Sequence, residues 1–131
     1  MRRIFLAVLV FVLMTTNVQA GSRLNGKDWR RLAPRERLYF IAGLNEGMIF
    51  TASLTELATR KKDIRAIIER NAPMDIAYDS QCKELDKFYM ETRNLGIPVI
   101  LALKVVKMQR DGEGKNVVEE MKIKLRGDYP Q

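Results

Sequence analysis

Apolar residues between Pro34 and Thr59 recur at helical spacing on almost every side of a projected helix. At about 100° per residue they fill three sectors, which hold Tyr39, Phe50, Leu54 and Leu57; Leu38, Ala42 and Ile49; and Ile41, Leu44 and Met48. A helix that is apolar nearly all round is normally buried by its neighbours. The pattern therefore predicts one long central helix over these residues.

Shorter stretches repeat the helical spacing before and after this segment. The pattern predicts a short turn around Trp29 and helices over 64–70, 75–90 and 98–110. In the segment 117–126, a capping-box pair at Asn116 and Glu119 favours a helix. The alternation of apolar and lysine residues in the same segment also fits an edge strand. We predict an all-α fold, a small bundle of four to five helices.

The N-terminal residues form the pattern of an export signal. Arg2 and Arg3 precede an apolar run over 4–14, and small or compact residues lead to Ala20. This run is shorter than the roughly 20 apolar residues that span a bilayer. We therefore expect residues 1–20 to be a cleaved signal peptide and 21–131 to be one helical domain without a transmembrane anchor. The mature domain is therefore expected to be exported.

The charge balance is basic, with 23 lysine and arginine residues against 16 acidic ones and a net charge of +7. Without Arg2 and Arg3, 21 basic residues face 16 acidic ones, which leaves +5. The densest basic cluster is a candidate docking surface for a protein or an anionic envelope surface: Arg60, Lys61, Lys62, Arg65 and Arg70. The alternative is a solvated face that serves solubility. Because no basic-aromatic stripe or binding motif appears, we expect no nucleic-acid partner.

The inventory of catalytic residues is small. The chain has no histidine, which removes the usual general base and the usual metal ligand. Its single cysteine, Cys82, falls in helical phase with Tyr78 and Leu85, which favours a small buried hydrophobe and leaves an intermolecular disulfide open. We expect a protein that is not an enzyme and that needs no cofactor or metal.

Two charged side chains, Glu46 and Lys104, project among apolar residues. A buried charge without a partner costs several kcal/mol, so each should find a partner or reach water. We hypothesise a polar pocket in which these two side chains meet, with Tyr39 and Tyr89 nearby. The alternative is that Lys104 extends to solvent and Glu46 lies at an edge.

A series of residues along the chain resembles a group of small, exported, helical bacterial proteins. The residues are Trp29-x-x-Leu32, Arg37-x-Tyr39 with Gly43 and Gly47, Phe88-Tyr89, Asn94 and Ile97-Pro98. The chain is more weakly similar to periplasmic immunity proteins against type VI secretion amidases, which carry paired cysteines where this chain has only Cys82. The resemblance implies a periplasmic location, with secretion as the alternative, and it implies no functional residues. We expect a non-catalytic protein that binds another protein of the cell envelope; the alternative is a binder of a small ligand or anionic polymer near Glu46.

Overall fold

The computed structural model describes residues 24–60, 63–73 and 75–131. The signal peptide predicted for 1–20 lies outside the described residues, as do Lys61 and Lys62 of the basic cluster. The described residues form six α-helices and one short 3-10 turn, in this order: α1 Gly26–Arg31, α2 Pro34–Thr59, α3 Ile64–Asn71, α4 Tyr78–Met90, the turn Thr92–Asn94, α5 Val99–Arg110 and α6 Lys115–Asp128.

The all-α prediction is confirmed. No β-strand occurs among the described residues, and one isolated bridge joins Asn25 to Pro98. The segment 117–126 is helical, so the edge-strand alternative is wrong. Its helix starts earlier than predicted, at Lys115, because the backbone of Gly114 takes the capping position in place of Asn116.

The ends of α2 follow from local chemistry. Pro34 occupies the first turn, where a missing N–H has no intrahelical partner to lose. The carboxylate of Glu36 accepts the N–H of Ala33 at 2.7 Å and satisfies one of the unpaired donors. At the other end Arg60 adopts a left-handed backbone conformation with φ of 58°, which stops the helix.

The core is centred on α5, and the prediction that α2 is the central helix is wrong. The helix α5 packs against α4 and α6. Its buried side chains are Val99, Ala102, Leu103, Val105, Val106 and Met108. In α2 only Ile41, Asn45 and Ala52 are buried. The helical projection shows that three sides of α2 are apolar, but it does not show that the side with Tyr39, Phe50 and Leu57 stays exposed.

The side chain of Arg37, which belongs to α2, contacts both α1 and α4. Its guanidinium donates from Nε to the Trp29 carbonyl at 3.1 Å, from Nη2 to the Arg30 carbonyl at 3.2 Å, and from Nη1 to Asp86 Oδ1 at 2.8 Å. It also lies over the Trp29 ring, 5.5 Å from the centroid. The buried indole N–H of Trp29 donates to the same Asp86 oxygen at 2.8 Å. These contacts hold the N-terminal half of α2 against the core.

Two buried amides join α2 to α4. Asn45 Nδ2 donates to Gln81 Oε1 at 3.0 Å, and Gln81 Nε2 donates to the Ile76 carbonyl at 3.1 Å. Buried polar groups of this kind normally need such partners, so the pair fixes how α2 and α4 align. The amides lie on the side of α2 that faces the core, opposite the side described next.

Candidate docking face on the long helix

One side of α2 is apolar and exposed to solvent. Tyr39 is 60% exposed, Phe50 64%, Leu54 50% and Leu57 79%. Their spacing of eleven, four and three residues places them on one face of the helix. We call this face the α2 strip. At 1.5 Å per residue it is about 27 Å long.

The area of the α2 strip is large for a small protein. With full accessible areas of roughly 200 Å² for each large apolar side chain, the exposed fractions amount to on the order of 500 Å². The largest apolar patch of a typical monomer covers about 300–600 Å² and is often functional. A standard interface buries about 800 Å² on each partner. The α2 strip could therefore form most of one side of an interface.

Two glycines form a shallow recess along the α2 strip. Gly43 and Gly47 are both exposed, and a Cβ atom added at either position would meet nothing within 4 Å. They therefore do not serve close packing inside the described part of the chain. A recess of this shape lets the backbone or side chains of another helix approach closely.

Two of the residues predicted for a polar pocket lie on this exposed side. The hydroxyl of Tyr39 accepts a hydrogen bond from Arg35 Nε at 3.0 Å, and the Arg35 guanidinium lies 5.4 Å from the centre of its ring. Glu46 accepts a hydrogen bond from the hydroxyl of Tyr78 at 3.3 Å. Both are therefore polar contacts at the edge of an apolar surface.

The other two predicted pocket residues lie elsewhere. Tyr89 is buried, and its hydroxyl donates to the Ile97 carbonyl at 2.8 Å. Burial raises the pKa of the Tyr89 hydroxyl far above its ordinary value. Lys104 is half-buried on α5. No hydrogen bond or ion pair in the described part of the chain joins any two of Glu46, Lys104, Tyr39 and Tyr89, so the structure does not bring the four together.

Lys104 borders a groove between α2, α3 and α5. The groove has a volume of about 250 Å³, and its walls include Met48, Ile68, Ala72 and Leu101. A second cavity of about 280 Å³ shares Asn71 and Lys104 with the first. Lys104 therefore stands where an apolar groove meets a more polar one.

The described part of the basic cluster is partly neutralised. Arg65 pairs with Glu69 at 2.8 Å, which raises the pKa of its guanidinium, and its backbone N–H donates to Glu56. Arg60 is exposed at the end of α2, and Arg70 is exposed at the end of α3. The role of the cluster as a docking surface stays a prediction.

Cys82 is half-buried on α4, in agreement with its predicted phase. Burial raises the pKa of its thiol, and the nearby Asp86 carboxylate raises it further, so the reactive thiolate is disfavoured. Among residues 24–60, 63–73 and 75–131 no cluster of His, Cys, Asp and Glu could hold a metal ion. The helices of the same residues include none that is both long and apolar enough to cross a bilayer.

The sequence indicates the residues of the α2 strip and of the groove, but it does not predict that the strip is exposed or that the groove forms. The α2 strip is one of the three apolar sectors of the helical projection, and this pattern predicts that it is buried in the core. The groove was indicated by Lys104 in the apolar stripe of α5, but the walls supplied by α2 and α3 depend on tertiary packing. No family model, curated protein or solved structure matches the chain.

Proposed function

We propose that the protein is an exported, non-catalytic module that binds another protein in the cell envelope through the α2 strip. The observation that carries this proposal is the exposure of four large apolar side chains on one side of a single helix. Export is supported by the N-terminal pattern of two arginines, an apolar run and a small residue at Ala20.

The chemistry of the strip favours a protein partner. Aromatic side chains near the centre of an interface often supply much of its binding energy, and Phe50 lies within the strip and is 64% exposed. An amphipathic helix with apolar residues at helical spacing also fits a groove on a partner. An anionic polymer would instead select a dense positive surface, and Arg65 of the basic cluster is already paired with Glu69.

The available area sets the scale of the affinity. Covering on the order of 500 Å² of apolar surface at about 25 cal/mol per Å² contributes roughly 12 kcal/mol. Association costs about 4–15 kcal/mol in lost rigid-body freedom, so most of that gain is offset. We therefore expect additional polar contacts at the edge, where Arg35 and Glu46 lie.

Comparative capture tests this proposal. The mature protein, a strip variant with Phe50→Ser and Leu57→Ser, and a control with Val117→Ser and Ile123→Ser are used to capture partners from envelope extract. The control residues lie on α6 and are 50% and 64% exposed, so the substitutions remove similar apolar surface. Circular dichroism verifies that all three proteins have the same helix content.

We expect the wild type and the control to retain one stoichiometric partner that the strip variant loses. The complex should persist from low to moderate salt, because salt screens charges but not apolar contacts. Equal retention by the strip variant would contradict the proposal. Capture that disappears at moderate salt would instead implicate the positive charge of the cluster at Arg60 to Arg70.

A further inference from the structure

The groove at Lys104 lies on the opposite side of α2 from the α2 strip. Met48 lines the groove, and it is rotated by about 180° from Tyr39 and Leu57 around the helix axis. A ligand in the groove and a protein on the strip would therefore occupy separate surfaces. Protein binding by the α2 strip therefore does not account for the groove.

The groove combines apolar walls with a cation that has no ion-pair partner among the described residues. Its walls include Ile68, Ala72 and Leu101, and its volume of about 250 Å³ is just below the range of about 300–1,000 Å³ usual for ligand pockets. The ammonium group of Lys104 forms no ion pair with any described residue. Two neighbouring lysines do form such pairs: Lys107 with Asp111 at 2.8 Å and Lys122 with Glu119 at 2.7 Å.

The adjoining cavity adds a second unpaired cation. Arg70 lines this cavity together with Lys104, and it also forms no ion pair with a described residue. The cavity further contains Glu113, while the charge of Lys107 is balanced by its ion pair. One positive charge therefore remains in excess where the two cavities meet. This balance suits a head group with a single negative charge.

We propose that this groove binds a medium-chain fatty acid. Its carboxylate contacts Lys104 and Arg70, and its acyl chain lies against Met48, Ile68 and Leu101. An acyl chain supplies apolar surface for these walls, and its carboxylate supplies the single negative charge. The carboxylate replaces the missing partner of Lys104 and offsets the cost of holding that ammonium half-buried.

Calorimetric titration of the purified protein with three probes tests this proposal. Decanoate, decanol and decyltrimethylammonium carry the same chain with a negative, neutral and positive head, and each is used below its micellar concentration. We expect decanoate to bind about tenfold more tightly than decyltrimethylammonium, because one head attracts Lys104 and Arg70 and the other repels them. Decanol should bind with intermediate affinity.

Matched variants locate the site. Lys104→Met keeps the length of the side chain and removes the charge, so it should weaken decanoate binding about fivefold and leave decanol binding unchanged. Lys124→Met removes the same charge from an exposed position of α6 and should leave every affinity unchanged. Ile100→Trp places a larger side chain at the partly exposed wall of the groove and should abolish binding of all three probes.

The opposite results would overturn the proposal. These are the absence of saturable decanoate binding, equal affinities for the three probes, or an unchanged decanoate affinity in Lys104→Met. Binding to anionic phosphatidylglycerol vesicles without binding to free decanoate would also overturn it, because the site would then recognise a membrane surface.

Discussion

Replacing Arg37 with alanine is expected to destabilise the attachment of α1 to the core. The change removes two hydrogen bonds to backbone carbonyls, the bond to Asp86 and the contact with the Trp29 ring. A neutral hydrogen bond contributes about 1 kcal/mol and one between charged groups about 1.5–3 kcal/mol. The side chains of Arg37 and Asp86 are 20% and 46% exposed, so solvent screens the charged bond. We expect the free energy of unfolding to fall by about 2–3 kcal/mol.

Urea denaturation followed by circular dichroism measures this loss. With a slope of about 1–3 kcal/mol per M, the midpoint should fall by roughly 1 M. Arg37→Lys keeps the charge but cannot reach both carbonyls and the carboxylate at once, so it should recover only part of the stability. Arg31→Ala on the exposed side of α1 is the matched control. An unfolding free energy for Arg37→Ala within about 0.5 kcal/mol of wild type would refute the reasoning.

Four further predictions concern two glycines, the ion pair of Asp75 and the single cysteine. Gly26→Ala should lower the free energy of unfolding by about 1–3 kcal/mol, measured by thermal unfolding, because the added Cβ would overlap the ring of Tyr89. Gly43→Ala should raise it by about 0.5–1 kcal/mol, because this helical position faces open space; a stabilised Gly26→Ala would be inconsistent with this packing. Arg110 Nη1 donates a hydrogen bond to Asp75 Oδ1 at 2.9 Å, which lowers the pKa of the Asp75 carboxyl. The stability from this pair is complete above the carboxyl's ordinary pKa and is lost as pH falls through the lowered value. The difference in unfolding free energy between wild type and Asp75→Asn should therefore shrink in acid. A difference that grows as the pH falls would contradict this prediction. Cys82 should react with a thiol reagent more slowly in the native protein than in urea, because burial raises its pKa; equal rates would contradict its half-buried position.

Features that depend on local chemistry could be predicted from the sequence. The bounds predicted for α2, Pro34 at its start and Thr59 at its end, agree with the structure. The helix type of α5 and α6 follows from their apolar spacing. The predicted start of α4 at Asp75 is three residues too early, since the helix begins at Tyr78. Asp75 lies in the preceding loop, where it is bound by Arg110. The sequence does not reveal that pairing across 35 residues.

Features that depend on tertiary neighbours could not be predicted. The three apolar sectors of α2 are equivalent in projection, and only the positions of α3 and α4 decide that Ile41 is buried and Leu57 exposed. The same holds for Glu46 and Lys104, which were both recognised as charges in apolar surroundings. Their distances to other side chains depend on how α2 and α5 pack, so their separation followed only from the structure.

Site-specific photo-crosslinking in living cells tests the α2 strip most directly. A photoreactive phenylalanine replaces Phe50 in one version of the full-length chain and Ile123 in another; both native side chains are 64% exposed. We predict that irradiation joins the probe at position 50 to one protein of the envelope, giving a discrete adduct, and that the probe at position 123 gives none. No adduct at position 50, or the same adducts at both positions, would contradict a docking function of the α2 strip.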